Sequence, residues 1–225
     1  MKKYSYVGIA FIILIFGIYA IPKIVNNFKK PKLATITKVP DFEFINQDGK
    51  LITNSFYKNK VYVVEFFFTT CPTICPKMNK NMVTIQNKFF GNPNFGIASF
   101  SINPKHDTPK ILKEYAKEHG ATLKNWNFLT GDQDKIYELA NIGFTLYAGE
   151  DSQAAGGFEH SGSFAIVDKN GNIRSRYDKY GNPIAFYNGL DPKEIHKIIE
   201  DVNILLNEWW KKYQGNIILG LLFYQ

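Results

Sequence analysis

Apolar residues are distributed along this chain in three patterns, and each predicts a different element. The first is an unbroken stretch. Residues 7–21 carry no charge and are nearly all apolar, with Tyr4 and Tyr6 before them and Pro22 after. A bare spanning helix needs ~20 apolar residues, and interfacial tyrosines extend a shorter one. Residues 1–24 are therefore expected to form an uncleaved N-terminal transmembrane helix. No A-x-A site stands near Ala20 for cleavage, and no cysteine follows that could carry a lipid.

The second pattern is the short apolar run. Residues 61–68 (VYVVEFFF) are almost continuously apolar, β-branched or aromatic, as expected of a central strand covered on both faces. Residues 41–45 and 50–53 flank Asp48-Gly49 and predict a hairpin. Residues 95–102, 127–130, 163–168 and 173–177 read as further strands. Asn170-Gly171 turns the last two into a hairpin.

The third pattern is helical spacing. Met78, Met82, Ile85 and Phe89 share one face of a helix over 75–89, with Pro76 suited to its first turn. Residues 108–118 follow, capped by Asp107 or Thr108, then 132–141, and a last helix opens at Asp191-Pro192 and reaches about Lys212. Between them, 149–157 reads as a glycine-rich loop. Strands and helices alternate early, and a hairpin plus helix close the domain. That order predicts an α/β fold, a mixed sheet flanked by helices. Residues 25–39, rich in lysine and asparagine, read as a solvated linker, so the domain is expected over 40–212. The apolar tail at 217–223 is too short to span a membrane and is expected to pack on the domain or a neighbour; residues 213–225 receive no function.

Charge sharpens this picture. The net charge is +7, but residues 1–40 hold seven lysines and no acid, leaving 20 basic and 20 acidic residues beyond them. A neutral domain gives a nucleic-acid function little support. Two lysines precede the apolar stretch and four follow it closely, which by count alone would keep the domain in the cytoplasm. Large domains translocate largely regardless of such counts, and an anchored pair of cysteines makes best sense outside. The expected site is the periplasmic face of a bacterial cytoplasmic membrane.

Cys71 and Cys75 are the only cysteines. Both are expected to project from the first turn of one helix, about 6 Å apart along its axis, with the positive helix end lowering their pKa. Such a pair can close a disulfide or hold a soft metal ion. Two ordinary buried thiols would be the bland alternative, but cysteine used nowhere else and twice at a strand-to-helix junction is not random core filling. His106, His119 and His196 lie in polar segments and are expected to be solvated. His160 ends the glycine-rich loop and leads into the strand at 163–168. Glu65 is expected to be a hydrogen-bonded or partly exposed carboxylate at the sheet end rather than a proton relay. Met78 and Met82 are expected in the core rather than on a metal.

Four segments in order complete the reading: C-P-T-I-C-P at 71–76, S-I-N-P-K-H-D-T-P at 101–109, W-N-F-L-T-G at 126–131 and H-S-G-S-F-A-I-V-D-K-N-G at 160–171. Over roughly residues 40–205 the chain resembles the Sco/SenC family, a branch of the thioredoxin-like proteins. The resemblance implies a thioredoxin-like fold and copper bound through Cys71, Cys75 and His160. It also implies a metallochaperone role, without turnover chemistry, in assembling the copper centre of cytochrome c oxidase. The implied partners are a copper ion, the copper-bearing oxidase subunit and the membrane. The second segment departs from the family pattern at Asn103, where an aspartate is common, and keeps Asp107. Two rival functions share the fold. A thiol–disulfide reductase, maintaining cysteines of an oxidase subunit, would use Cys71 and Cys75 as a redox pair, although C-x-x-C spacing is usual there. A peroxidase would need an arginine-supported cysteine, and the chain has only Arg174 and Arg176, both late.

Overall fold

The computed structural model describes the backbone over Ser5–Phe28 and 32–222, and side chains over 8–21 and 32–208. The chain divides into two units, Met1–Lys32 and Leu33–Gln225. The first contains one helix, α1 (Ser5–Phe28). Ile9, Phe11, Ile13, Phe16 and Ile18 on it are all more than half exposed, so its apolar surface is not confined to one stripe. Among the described residues no helix is long and apolar enough to cross a membrane. The flanking tyrosine side chains invoked above lie outside the described residues.

The second unit is built around one large sheet. In chain order its strands are β1 (Ala34–Lys38), β2 (Glu43–Asn46), β3 (Leu51–Thr53), β4 (Val61–Phe67), β5 (Phe95–Ser101), β6 (Trp126–Thr130), β7 (Ala148–Glu150), β8 (Phe158–His160), β9 (Ser163–Val167), β10 (Asn172–Ser175) and β11 (Tyr187–Asn188). The main sheet runs β1-β10-β9-β4-β5-β6-β2-β3, with β11 also on β9, while β7 and β8 pair separately. Strands β4, β5 and β6 are parallel. Parallel neighbours need a crossover, and α2 (Cys75–Lys88) and α3 (Pro109–Glu118) supply it. Strand β9 meets β4 antiparallel.

Strand β4 is buried along its whole length. Phe66 stacks on Phe100 and meets Phe144 edge-on, whereas Phe67 packs on Tyr115 and Phe128. Adjacent residues therefore bury opposite faces, which is why this strand shows no polar alternation. Helix α5 (Pro192–Leu222) adds Ile195, Ile198, Val202 and Leu205 to the core at helical spacing.

Several elements differ from expectation. Strand β1 forms inside the segment read as linker, pairing Ala34 with Ser175 and Thr35 with Arg174. The Arg174 guanidinium also donates to the carbonyls of Leu33 and Ala34. Four of the five β1 side chains are exposed, so backbone pairing holds the strand and apolar periodicity could not reveal it. The glycine-rich loop is the β7–β8 hairpin, with the tight turn at Gly156 and Gly157, both at positive φ. Helix α4 (Gln133–Glu138) runs into a π-type turn at Leu139–Gly143. Helix α5 continues past 212 to Leu222; the side chains of the apolar tail lie outside the described residues.

Candidate metal centre

Strand β4 ends at Phe67, and helix α2 begins only at Cys75. Cys71 precedes Pro72, and a residue before proline is pushed out of the helical region. Cys71 therefore sits in the turn before α2, not on its first turn as expected from spacing. Its N–H donates to the Phe68 carbonyl at 3.3 Å. Cys75 is mounted on the helix, where Asn79 one turn on donates to the Cys75 carbonyl at 3.0 Å.

His160 arrives by sheet register. Antiparallel pairing sets Tyr62 opposite Val167 and Val64 opposite Ala165. Continued, that register brings 160–161 level with 68–69, beside the cysteine turn. The three ligand atoms of Cys71, Cys75 and His160 lie within 4.8 Å of one another, and all three residues are buried. Cys75 Sγ is 3.2 Å from His160 Nε2. His160 Nδ1 faces the Ser161 carbonyl at 3.2 Å; a proton on Nδ1 donated there leaves the Nε2 lone pair directed at the sulfurs. Phe68 meets the imidazole edge-on, 5.8 Å between centroids.

Both thiols are free. Cys71 is pulled down to about 3, chiefly by its hydrogen bond with the Cys75 thiol. Cys75 is pushed up, because its proton serves Cys71 and burial disfavours a second charge. The partner thiol, rather than the helix end, is thus the leading cause. The pair carries one ready thiolate and one held proton.

The other candidates separate cleanly. His106 is about half exposed but pairs with Asp107 Oδ1 at 2.8 Å. His119 lies against the Tyr115 ring, and His196 is exposed. Met78 and Met82 are core residues. Arg174 and Arg176 are engaged by Asp168 and Asp201. Glu65 is fully buried in mid-strand, contrary to a place at the sheet end. Its Oε1 accepts from Ser99 Oγ at 2.6 Å, which in turn accepts from Trp126 Nε1 at 2.9 Å, while Oε2 has no partner. Burial raises this carboxyl to about 7. Asp107 does not cap α3, since Thr108 does. Instead it accepts four hydrogen bonds, from Thr69 N, Thr69 Oγ1, Ser101 Oγ and His106 Nδ1. Sequence offered one signal for this, the retained aspartate of the second family segment.

The SCO1/SenC family model matches residues 31–192. The chain belongs to the SCO1/SenC family. It is 35% identical over 171 residues to the SCO1 protein homolog of Bacillus subtilis (strain 168), spanning 73% of this chain and 81% of that protein. The crystal structure of a SCO1/SenC family lipoprotein from Bacillus anthracis str. Ames superposes with a TM-score of 0.67 at 30% identity, covering 79% of this chain and 98% of that one. Bradyrhizobium japonicum ScoI, solved with copper bound, shares the fold at a TM-score of 0.57 and 20% identity, covering 75% and 99%. The mixed α/β fold of this SCO1/SenC chain is accordingly the thioredoxin-like fold of Sco structures.

Proposed function

We infer that this Sco protein is a membrane-anchored, copper-binding metallochaperone that assists assembly of the copper centre of cytochrome c oxidase. The observation that carries the copper reading is the buried Cys71–Cys75–His160 triad, its ligand atoms within 4.8 Å of one another. Two thiolates and a neutral imidazole suit soft copper(I). Copper is cargo here. Loading displaces the proton from Cys75, while the Nδ1 contact of His160 keeps its donor nitrogen aimed inward. Full-length protein in detergent, with thiols reduced, is expected to retain one copper(I) per chain. Cys71→Ser, Cys75→Ser and His160→Ala should each lower affinity, and retention of full affinity by all three overturns the site. The oxidase role predicts that cells lacking the protein lose oxidase copper, restored by wild type but not by Cys71→Ser.

Anchoring is supported by the exposed apolar surface of α1, where Ile9, Phe11, Ile13, Phe16 and Ile18 are all more than half exposed. The domain is assigned to the outer face of a cytoplasmic membrane. A topology reporter fused after Gln225 should be active only there; activity confined to the cytoplasm reverses the orientation.

A second reading is favoured by the unequal thiols. Cys71 as thiolate with Cys75 protonated is also the arrangement of a dithiol ready to reduce another disulfide. Robust turnover of a disulfide substrate by the copper-free protein would rank this reductase activity above copper delivery.

A further inference from the structure

The three ligands are mounted unequally. Cys75 stands on a helix and His160 on a strand, but Cys71 lies in a turn whose own backbone bond is the 3.3 Å contact to Phe68. Two residues before Cys71, Thr69 is gripped from outside the turn. Its N–H donates to Asp107 Oδ2 at 3.0 Å and its Oγ1 to Asp107 Oδ1 at 2.5 Å. The same carboxylate accepts from Ser101 Oγ at 2.5 Å and is paired with His106 Nδ1 at 2.8 Å. Ser101 ends β5 directly opposite Phe67, the last residue of β4.

We propose that Asp107 is a positioning residue of the metal centre, fixing Cys71 by clamping Thr69 to the end of the sheet. The proposal rests on the copper reading for its role, though not for its geometry. Four donors converge on a carboxylate that is fully buried, which fills its acceptor sites with charge-assisted bonds. Ser101 and His106 would suffice to close the 101–107 loop. The two bonds to Thr69 do something else: they tie the cysteine turn to β5. An outer carboxylate that orients a ligand is worth about tenfold to a hundredfold in metal affinity.

The test uses the full-length, reduced protein and the variants Asp107→Asn, Thr69→Val and Thr69→Ser. The amide introduced by Asp107→Asn would turn donor hydrogens toward donors; valine keeps the Thr69 N–H bond but removes the Oγ1 bond to Asp107 and the longer 3.4 Å contact with His106 Nδ1; serine restores both. Copper(I) affinity, by competition with a chromophoric chelator, should fall about tenfold or more in Asp107→Asn and several-fold in Thr69→Val, and recover in Thr69→Ser. Without metal, the alkylation rate of Cys71 should rise in the first two variants while that of Cys75 stays unchanged. Thermal unfolding shows which variants are folded, and Thr69→Val serves if Asp107→Asn is not. Failure of wild type to hold copper removes the copper reading, and the alkylation arm then decides the clamp alone. Wild-type Cys71 reactivity and affinity in folded Thr69→Val, or equal losses in Thr69→Val and Thr69→Ser, overturn it.

Discussion

Glu65 shows how much a single side chain can carry. A carboxyl with no solvent contact and one unpartnered oxygen is held near 7 by burial, against 4.5 ordinarily. Below pH 4.5 it is neutral folded or unfolded. Between about 4.5 and 7 only the unfolded chain ionises, so stability should fall as pH rises through that window, by about 3 kcal/mol at most. Above 7 the contribution is flat. Glu65→Gln should remove this slope, read from denaturant midpoints across the pH range; an unchanged slope would place its origin elsewhere. Cys71 and Cys75 were legible in sequence because the chain uses cysteine nowhere else, and His160 only because it opens the family-like segment at 160–171. The partners of Glu65 were not. Ser99 lies 34 residues from it and reaches it only across the sheet, and Trp126 a further 27 residues on. The clamp on Thr69 was hidden for the same reason, since Asp107 lies 38 residues on.

At the scale of elements, strong periodicity was reliable and its absence was not. Strand β4 and helix α2 stand where their apolar spacing put them. Strand β1 escaped because its side chains face water, and the β7–β8 hairpin because glycines mask its short strands. That hairpin yields a prediction of its own. Gly156 has φ +88°, and a Cβ there would lie 2.8 Å from Phe68 Cε2. Phe68 is also the ring against His160. Gly156→Ala should therefore destabilise the domain by roughly 1–3 kcal/mol and weaken copper(I) binding, measured by thermal unfolding and chelator competition. Gly171→Ala, at similar φ in the turn between β9 and β10 with open space for a Cβ, should lower stability without reaching the copper site.

The whole molecule joins an apolar helical segment to a charge-balanced domain, divided near Lys32. The anchoring proposed for α1 belongs to this scale. The full chain should stay in the membrane pellet after an alkaline carbonate wash, and a chain lacking Met1–Lys32 should be released. Extraction of the full chain by the same wash would remove the anchor from the account. Long-range order is also where the antiparallel alignment of β9 on β4 matters most. That alignment acts as a ruler laid between two distant parts of the chain. Lengthening the hairpin at its exposed tip, at Ser152 and Gln153, leaves that ruler intact, whereas deleting one residue between His160 and Phe164 would take the imidazole off its mark. Evolution or a protein engineer can thus remodel that exposed tip while Gly156 stays, and scarcely touch the stretch that follows the histidine.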